Sequence, residues 1–301
     1  PTRPSKAATR SSRSAILTSL PIPGITEMRL ETISGDDPRE MLRALRAAVL
    51  GSGPAISLGM PAGAVDAAGN PVALEVPSGT AVVVTTSGSS GVPKSVMLSR
   101  SALTSSALST AARIGEGAWL LALPASYVAG LQVLVRSLVQ GHEPAILSGT
   151  FSAEAFTATA LGMVSSVGGT RVPSYTSLVP AQLGTLLDAA PHDSAVAEAL
   201  RSFEAILIGG QALPAAMAAR ADEFGVNVVR TYGSSETAGG CVYDGVPLDG
   251  VRVREVDGEL QALGVGDVAS RRHAANVGGH APGVVDVHVE HGHFGAQAGQ
   301  L

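Results

Sequence analysis

The sequence predicts an α/β fold in which strands and helices alternate along the chain. Several short apolar runs are rich in branched residues and end at Gly or Pro, and the stretches between them have helical periodicity. Continuous apolar strands of this kind belong to sheets that are covered on both faces. The chain has 301 residues, of which 45% are hydrophobic and 15% charged, a composition typical of a large globular domain.

The first predicted helix lies in the stretch GDDPREMLRALRAAVLGSG. Asp36 or Asp37 is its expected N-cap, Pro38 falls in its first turn, and Gly51 is expected to end it. Apolar residues recur along one face of this helix. They are Met41, Leu42, Leu45 and Val49.

Three apolar runs predict buried strands, at residues 80–86 (TAVVVTT), 119–123 (WLLAL) and 204–210 (EAILIGG). The stretch VRVREVDGELQAL predicts a hairpin around Asp257 and Gly258. Further helices are expected near residues 100–114, 130–140, 176–188 and 213–224, the last with Pro214 in its first turn.

Composition excludes several classes of protein. A net charge of −5 argues against a nucleic-acid-binding surface. Cys241 is the only cysteine, so an internal disulfide and a cysteine-based zinc site are both excluded, and a cytoplasmic location is expected. The uncharged run 117–135 is interrupted by Pro, Ser, Gly and Gln. It therefore favours a buried strand, a turn and a buried helix over an integral membrane segment.

A Gly/Ser-rich loop follows the first apolar run, in the stretch TTSGSSGVPKSVMLS, Thr85–Ser99. Ser87–Gly91 offers backbone N–H groups and hydroxyls after a strand, which suits the binding of phosphate oxygens, and Lys94 adds a positive charge. The spacing is not that of a P-loop, because Pro93 precedes the lysine. An ordinary exposed turn is the alternative on composition alone.

This stretch resembles the phosphate-binding signature of the acyl-adenylate-forming ligases, which include acyl-CoA synthetases, luciferases and the adenylation domains of peptide synthetases. Downstream, TYGSSETAGG (Thr231–Gly240) resembles the second signature of the family, and ILIGGQALP (206–214) resembles its adenine-side segment. The resemblance covers about residues 80–263. It implies the large N-terminal domain of the AMP-binding fold, with layered sheets and flanking helices.

Within that family, LALPASYVAGLQVLVRSL and TSLVPAQL resemble most the o-succinylbenzoate-CoA ligases of menaquinone biosynthesis. The resemblance implies ATP, Mg²⁺ and coenzyme A as cofactors and a small carboxylic acid, o-succinylbenzoate, as substrate. The carboxylate would attack the α-phosphate of ATP to give an acyl adenylate and pyrophosphate, and the thiol of coenzyme A would then displace AMP.

The resemblance also implies roles for individual residues. Lys94 and Glu236 are the catalytic candidates, and Glu236 would bind Mg²⁺, for which a carboxylate oxygen is a suitable ligand. A solvated loop carboxylate is the alternative for Glu236, and core packing is an additional role for Tyr232. Tyr127 and Gly130 are assigned to the acyl pocket, although many relatives have a histidine where Tyr127 stands. The implied nucleotide-binding residues are Thr86, Ser87, Gly88, Ser89, Ser90, Gly91, Lys94, Gly209, Gly210, Gln211, Tyr232, Gly233 and Ser235.

Three segments are expected: a flexible N-terminal tail (1–22), an AMP-binding domain (23–263) and a divergent tail (264–301) that is not the C-terminal lid domain of the family. The tail contains His288, Glu290, His291 and His293, but no scaffold signal favours a metal site there.

The lysines of the chain are Lys6 and Lys94, so the adenylation lysine of the C-terminal domain has no counterpart here. Two hypotheses follow: a ligase impaired by loss of that domain, or a non-catalytic nucleotide-binding or acyl-binding remnant. No nucleic-acid partner is expected, and a homodimer stays open as the oligomeric state.

Overall fold

The architecture comes from a computed structural model. The described residues are 26–33, 37–51, 53–58, 75–86, 94–163, 166–256, 259–264 and 287–289. The predicted N-terminal tail, the loop Ser87–Gly91 and most of the predicted C-terminal tail lie outside these residues, so the predictions about them stay predictions.

Strands and helices alternate along the described chain, as the sequence predicts. The strands are β1 (Glu27–Thr32), β2 (Ala55–Leu58), β3 (Glu75–Pro77), β4 (Thr80–Thr86), β5 (Lys94–Ser99), β6 (Ala118–Leu121), β7 (Ala145–Ile146), β8 (Ser166–Val167), β9 (Thr170–Arg171), β10 (Ser174–Leu178), β11 (Ala205–Ile208), β12 (Val228–Ser234), β13 (Gly239–Tyr243), β14 (Val246–Pro247), β15 (Val251–Val256), β16 (Glu259–Gly264) and β17 (Val287–Val289). The helices are α1 (Pro38–Val49), α2 (Arg100–Ile114), α3 (Val128–Gln140), α4 (Ala153–Leu161), α5 (Pro180–Ala189), α6 (Ser194–Ser202) and α7 (Ala215–Glu223). None of these helices is both long enough and apolar enough to cross a membrane.

The first predicted helix is confirmed in detail. The Asp37 carboxylate caps α1 by accepting a hydrogen bond from the Arg39 N–H at 2.9 Å. The helix ends at Val49, and its C-cap is Leu50 rather than the predicted Gly51. Gly51 follows with a φ of +80°, a conformation that glycine adopts without strain. The three predicted strand runs correspond to β4, β6 and β11, and the predicted hairpin corresponds to β15 and β16.

Other predictions need correction. The helix expected at 176–188 begins only at Pro180, because residues 174–178 form the central strand β10. Val179 precedes a proline, and a residue in that position is biased away from the helical conformation. The last helix begins after Pro214, which is its N-cap rather than a residue of its first turn. Helices α4 and α6 were not predicted, and Val287–Val289 of the predicted divergent tail pairs with β16.

Two large sheets form the framework. A five-stranded sheet has the order β3-β1-β2-β4-β5, with β1, β2 and β4 parallel. A seven-stranded sheet has the order β14-β13-β12-β11-β10-β6-β7, in which β7, β6, β10, β11 and β12 are parallel. Strands β13 and β14 extend its edge in antiparallel fashion. The strands β8 and β9 form a small hairpin, and β15, β16 and β17 form a three-stranded sheet.

The strand side chains alternate between two cores. In β6, Trp119 and Leu121 face a core that also contains residues of α1, α2, α3 and the five-stranded sheet, whereas Leu120 faces a second core under α4, α5, α6 and α7. In β11, Leu207 faces the first of these cores and Ile206 faces the second. The helices α1, α2 and α3 therefore lie between the two large sheets, so both faces of the seven-stranded sheet are covered.

Candidate active site

Several of the predicted site residues lie in loops that leave one edge of the seven-stranded sheet. Strands β6, β10, β11 and β12 are parallel, so their carboxyl ends share an edge, where ligands commonly bind in open α/β sheets. The turn 124–127 follows β6, the segment 209–211 follows β11, and residues 235–238 follow β12. Gln182 of α5 connects the segments that follow β10 and β6. Its side-chain amide accepts a hydrogen bond from the Val179 N–H and donates one to the Ala122 carbonyl.

The segment Gly209–Gln211 turns sharply away from β11. A Cβ at position 209 would lie 2.6 Å from the Thr231 hydroxyl oxygen, so the chain can approach β12 this closely only with glycine. Gly210 has a φ of +80°, in the left-handed region. Gly210 and Gln211 are exposed, so their backbone groups are available at the surface beside β12.

The second predicted motif forms the connection between β12 and β13. Residues Ser235–Ala238 form a tight turn closed by a hydrogen bond of 3.1 Å from the Ala238 N–H to the Ser235 carbonyl. Glu236 lies within this turn, and its side chain is partly buried. The Thr237 hydroxyl accepts from the Ser234 N–H at 2.8 Å and is 2.7 Å from the Gly239 carbonyl. The turn is thus fixed by its own residues.

Two glycines allow this turn to form. A Cβ at Gly233 would lie 2.0 Å from the Gly239 carbonyl oxygen, and Gly239 itself has a φ of +108°. The ladder between β12 and β13 shifts register after Tyr232, leaving Cys241 as an extra residue. Such a bulge bends a strand and redirects its side chains, and bulges are common beside active sites.

Two polar residues outside the predicted motifs hold the end of the turn. The Ala238 carbonyl accepts a hydrogen bond from the Gln132 amide of α3 at 2.5 Å and another from the Ser106 hydroxyl of α2 at 3.2 Å. Neither residue belongs to a predicted motif. For Gln132, a signal was present, because this amide interrupts the mostly apolar run 117–135.

Tyr232 is half-buried and packs against Cys241 and Val242. Burial raises the pKa of the Tyr232 phenol to about 12, and the neighbouring Cys241 and Glu236 add to the rise. The phenol is therefore neutral at physiological pH. Burial also raises the pKa of the Cys241 thiol, so this cysteine is not set up as a nucleophile.

The two predicted acyl-pocket residues differ in exposure. Tyr127 is the N-cap residue of α3, makes no side-chain capping hydrogen bond and is 66% exposed. Gly130 is buried, and a Cβ there would lie 2.2 Å from the Pro124 carbonyl oxygen. Glycine at position 130 therefore permits the turn after β6 to pack against α3, and its role toward a substrate stays a prediction.

The predicted phosphate loop can be placed only by its ends. Thr86 and Lys94 are opposite each other in the antiparallel pair β4–β5, so the chain from 87 to 93 connects the ends of two neighbouring strands. Strand β5 ends at Ser99, whose hydroxyl caps α2 by accepting from the Ala102 N–H. Because α2 also carries Ser106, the strand that starts at Lys94 is connected through one helix to the Glu236 turn.

Two further observations bear on ligands. The described part of the chain contains no group of three or more His, Cys, Asp or Glu side chains that could hold a metal ion by themselves.

A cavity of about 450 Å³ lies between α7 and the start of β12, and Arg230, Asp222 and Asn227 are among its lining residues. None of the predicted site residues that the structure describes lines this cavity.

The chain is similar in sequence to known coenzyme A ligases. A probable 2-succinylbenzoate–CoA ligase of Mycobacterium tuberculosis is 46% identical over 192 residues, which cover 63% of this chain and 48% of that protein. The chain thus spans about half the length of this curated relative.

Two solved structures of the o-succinylbenzoate coenzyme A synthetase of Bacillus subtilis share the fold. The complex with its acyl-adenylate intermediate has a TM-score of 0.63 at 21% identity and covers 86% of this chain and 82% of that one. The complex with ATP and magnesium ion has a TM-score of 0.56 at 22% identity and covers 82% of this chain and 58% of that one. Residues 14–268 match the sequence profile of the AMP-binding enzymes, and the chain belongs to this family.

Proposed function

We propose that this chain is the nucleotide-binding and acyl-binding part of an ATP-dependent acid–thiol ligase with o-succinylbenzoate as its acid. The observation that carries the proposal is the shared sheet edge, where Gly209–Gln211 and the Glu236 turn leave neighbouring parallel strands in a chain of the AMP-binding family. The relative from Mycobacterium tuberculosis and the Bacillus subtilis complexes support the choice of substrate.

In the first step, the carboxylate oxygen of the acid attacks the α-phosphorus of ATP, and pyrophosphate leaves. The exposed segment Gly209–Gln211 and the neutral ring of Tyr232 would bind the adenine. Ser235 would contact the α-phosphate, while Ser87–Gly91 and Lys94 would bind the leaving phosphates. In the second step, the thiol of coenzyme A attacks the acyl carbon, AMP leaves, and the thiol proton is released.

Glu236 is the residue that would hold Mg²⁺. The described residues provide no multi-carboxylate cage, and Mg²⁺ in nucleotide sites is usually bound through one or two carboxylates together with phosphate oxygens. A single carboxylate in a turn that is not fully buried fits this mode. When bound, Mg²⁺ neutralises negative charge on the phosphates.

The proposed function includes an acyl acceptor, a cellular location and an oligomeric state. Coenzyme A is the acyl acceptor, the enzyme acts on small molecules rather than nucleic acid, its location is cytoplasmic, and a homodimer is its proposed assembly. Tyr127 and Gly130 would line the acyl side. A phenol cannot take the role of an imidazole, so Tyr127 would act by contact with the acid.

The test is ATP–pyrophosphate exchange by the purified chain, measured with and without o-succinylbenzoate. Exchange that depends on the acid is expected, and Glu236→Gln should reduce it by about 10²-fold, because a neutral amide holds Mg²⁺ less well and the metal then stabilises the transferring phosphate less. Glu198→Gln, at an exposed position of α6, is the matched control and should leave the rate unchanged.

The same assay separates the two hypotheses from each other. The second candidate is a nucleotide-binding protein without ligase turnover. Calorimetric binding of ATP with Mg²⁺ but no exchange would support that candidate. If the chain bound neither ATP nor AMP, both would be wrong.

A further inference from the structure

The carbonyl of Ala238 is the point where three structural elements meet. It ends the turn that contains Glu236, and it accepts hydrogen bonds from Gln132 of α3 and Ser106 of α2. Ala238 is one of two described non-glycine residues with a positive φ, at +55°. A conformation of this kind is unfavourable for alanine and persists when surrounding contacts enforce it.

Gln132 is an unusual residue for its position. Its side chain is fully buried, and residues 130–137 of α3 are buried on all sides between the two large sheets. A buried amide is costly unless it is hydrogen-bonded. The donor of Gln132 is used on Ala238, whereas its side-chain oxygen accepts no hydrogen bond from the described residues. Methionine, of similar size, would fill the same space without this cost.

The contact also limits where the turn can lie. A Cβ at Gly239 would approach the Cγ of Gln132 to 2.9 Å, so the backbone after Glu236 rests directly on this side chain. The Thr237 hydroxyl closes the turn internally, but Gln132 and Ser106 connect it to the helices between the sheets. Because α2 follows β5, the strand that starts at Lys94, the position of the Glu236 turn relative to that strand depends on these bonds.

We infer that Gln132 is a positioning residue: by binding the Ala238 carbonyl, it sets the place of the Glu236 turn and thereby the affinity for the Mg²⁺–nucleotide complex. The choice of the Mg²⁺–nucleotide complex as ligand rests on the proposed function. The placement of the turn by the hydrogen bond from Gln132 to Ala238 does not. A misplacement of about 1 Å at a reacting group is enough to reduce activity substantially.

The experiment compares Gln132→Met with Gln140→Met. Gln140 lies on the same helix, and its amide oxygen accepts from the Gly117 N–H and the Trp119 indole N–H. Its replacement therefore also removes hydrogen bonds, which are partly buried, but leaves Ala238 untouched. Calorimetry gives the Kd of each variant for ATP with Mg²⁺ and for AMP without Mg²⁺. Hydrogen exchange gives the protection of the amides from 235 to 239.

For Gln132→Met, we expect a Kd for the Mg²⁺–ATP complex about 10-fold higher and turn amides that exchange about 10-fold faster. The Kd for AMP should rise less, because AMP would contact the turn through Ser235 but not through Glu236 and Mg²⁺. Gln140→Met should change neither the turn amides nor the ratio of the two Kd values. Equal weakening of both ligands by Gln132→Met, or unchanged exchange of the turn, would overturn the inference. If the unmodified chain bound no Mg²⁺–ATP, the proposed function would fail, and the exchange data would still decide whether Gln132 positions the turn.

Discussion

At the scale of single residues, the glycines of the second motif have a steric explanation that needs no ligand. Gly233 was predicted from family resemblance to bind the nucleotide. In the structure, a Cβ at this position would meet the Gly239 carbonyl oxygen at 2.0 Å and Gly240 Cα at 2.7 Å. Both contacts are with backbone, which cannot rotate away as a side chain can. Glycine is therefore required for the hairpin that carries Glu236.

We expect Gly233→Ala to displace the turn and to lower the free energy of unfolding by about 2–3 kcal/mol, as overpacking against backbone does. It should also weaken Mg²⁺–ATP binding at least 10-fold. Urea denaturation and calorimetry measure the two effects. The matched control is Gly184→Ala in α5, where the added Cβ meets the flexible end of Met217 at 3.3 Å. Helix propensity favours alanine there, so this variant should be neutral or more stable. A Gly233→Ala protein as stable as the wild type would contradict the steric argument.

At the scale of elements, helix α3 is packed among apolar residues but carries polar side chains along one face. Gln132, Arg136 and Gln140 are four residues apart and so lie on one face of the helix. Arg136 is 3% exposed, has its guanidinium 4.8 Å from the centre of the Trp119 ring and donates to the Tyr243 hydroxyl at 3.2 Å. No carboxylate among the described residues forms an ion pair with it.

The Tyr243 hydroxyl is therefore a main polar partner of a buried cation, and it is also 2.9 Å from the Thr110 hydroxyl of α2. We expect Tyr243→Phe to lower the free energy of unfolding by about 2–3 kcal/mol, because the guanidinium loses a partner in a buried site. In a protein that already carries Arg136→Met, Tyr243→Phe should lower the free energy of unfolding by at least about 1 kcal/mol less than it does in the wild type. Urea denaturation of the four proteins completes this double-mutant cycle. Additive costs would show that Arg136 does not depend on Tyr243.

Element prediction from sequence succeeded where periodicity and capping agreed, as in α1 with Asp37 and Pro38. It failed at β10, because the segment SYTSL has only five residues and its burial comes from pairing with β6 and β11 on either side. Pairing between distant segments leaves no local signal in such a short run. The same holds for the bulge at Cys241, which depends on the register between β12 and β13.

At the scale of the whole molecule, the sequence motifs predicted which residues belong to a site but not what holds them there. The motifs predict Glu236 and Gly209 as site residues, whereas Gln132 and Ser106 lie more than 100 residues from Ala238 in sequence. Their role follows from α2 and α3 lying between the two large sheets. A residue whose function is to hold another backbone segment has no motif of its own.

The same helices make one cooperative unit of the described molecule. The core that contains α1, α2 and α3 takes residues from both large sheets, including Val82 of β4 and Trp119 of β6. Leu45 of α1 is fully buried in that core, and its helix packs on β4, α2 and α3. Trp119 is the only tryptophan of the chain, so its fluorescence reports on the surroundings of β6 in the seven-stranded sheet.

Leu45→Ala should therefore destabilise both sheets together. A cavity at this site is expected to lower the free energy of unfolding by about 2–5 kcal/mol, and the urea midpoints from Trp119 fluorescence and far-UV circular dichroism should fall by the same amount. Leu108→Ala on α2, whose side chain is 55% exposed, is the control and should move neither midpoint. If the circular dichroism fell in an early step while the Trp119 midpoint stayed at its wild-type value, the two sheets would unfold independently. The helices between them would then be unable to transmit the position of β5 to the Glu236 turn.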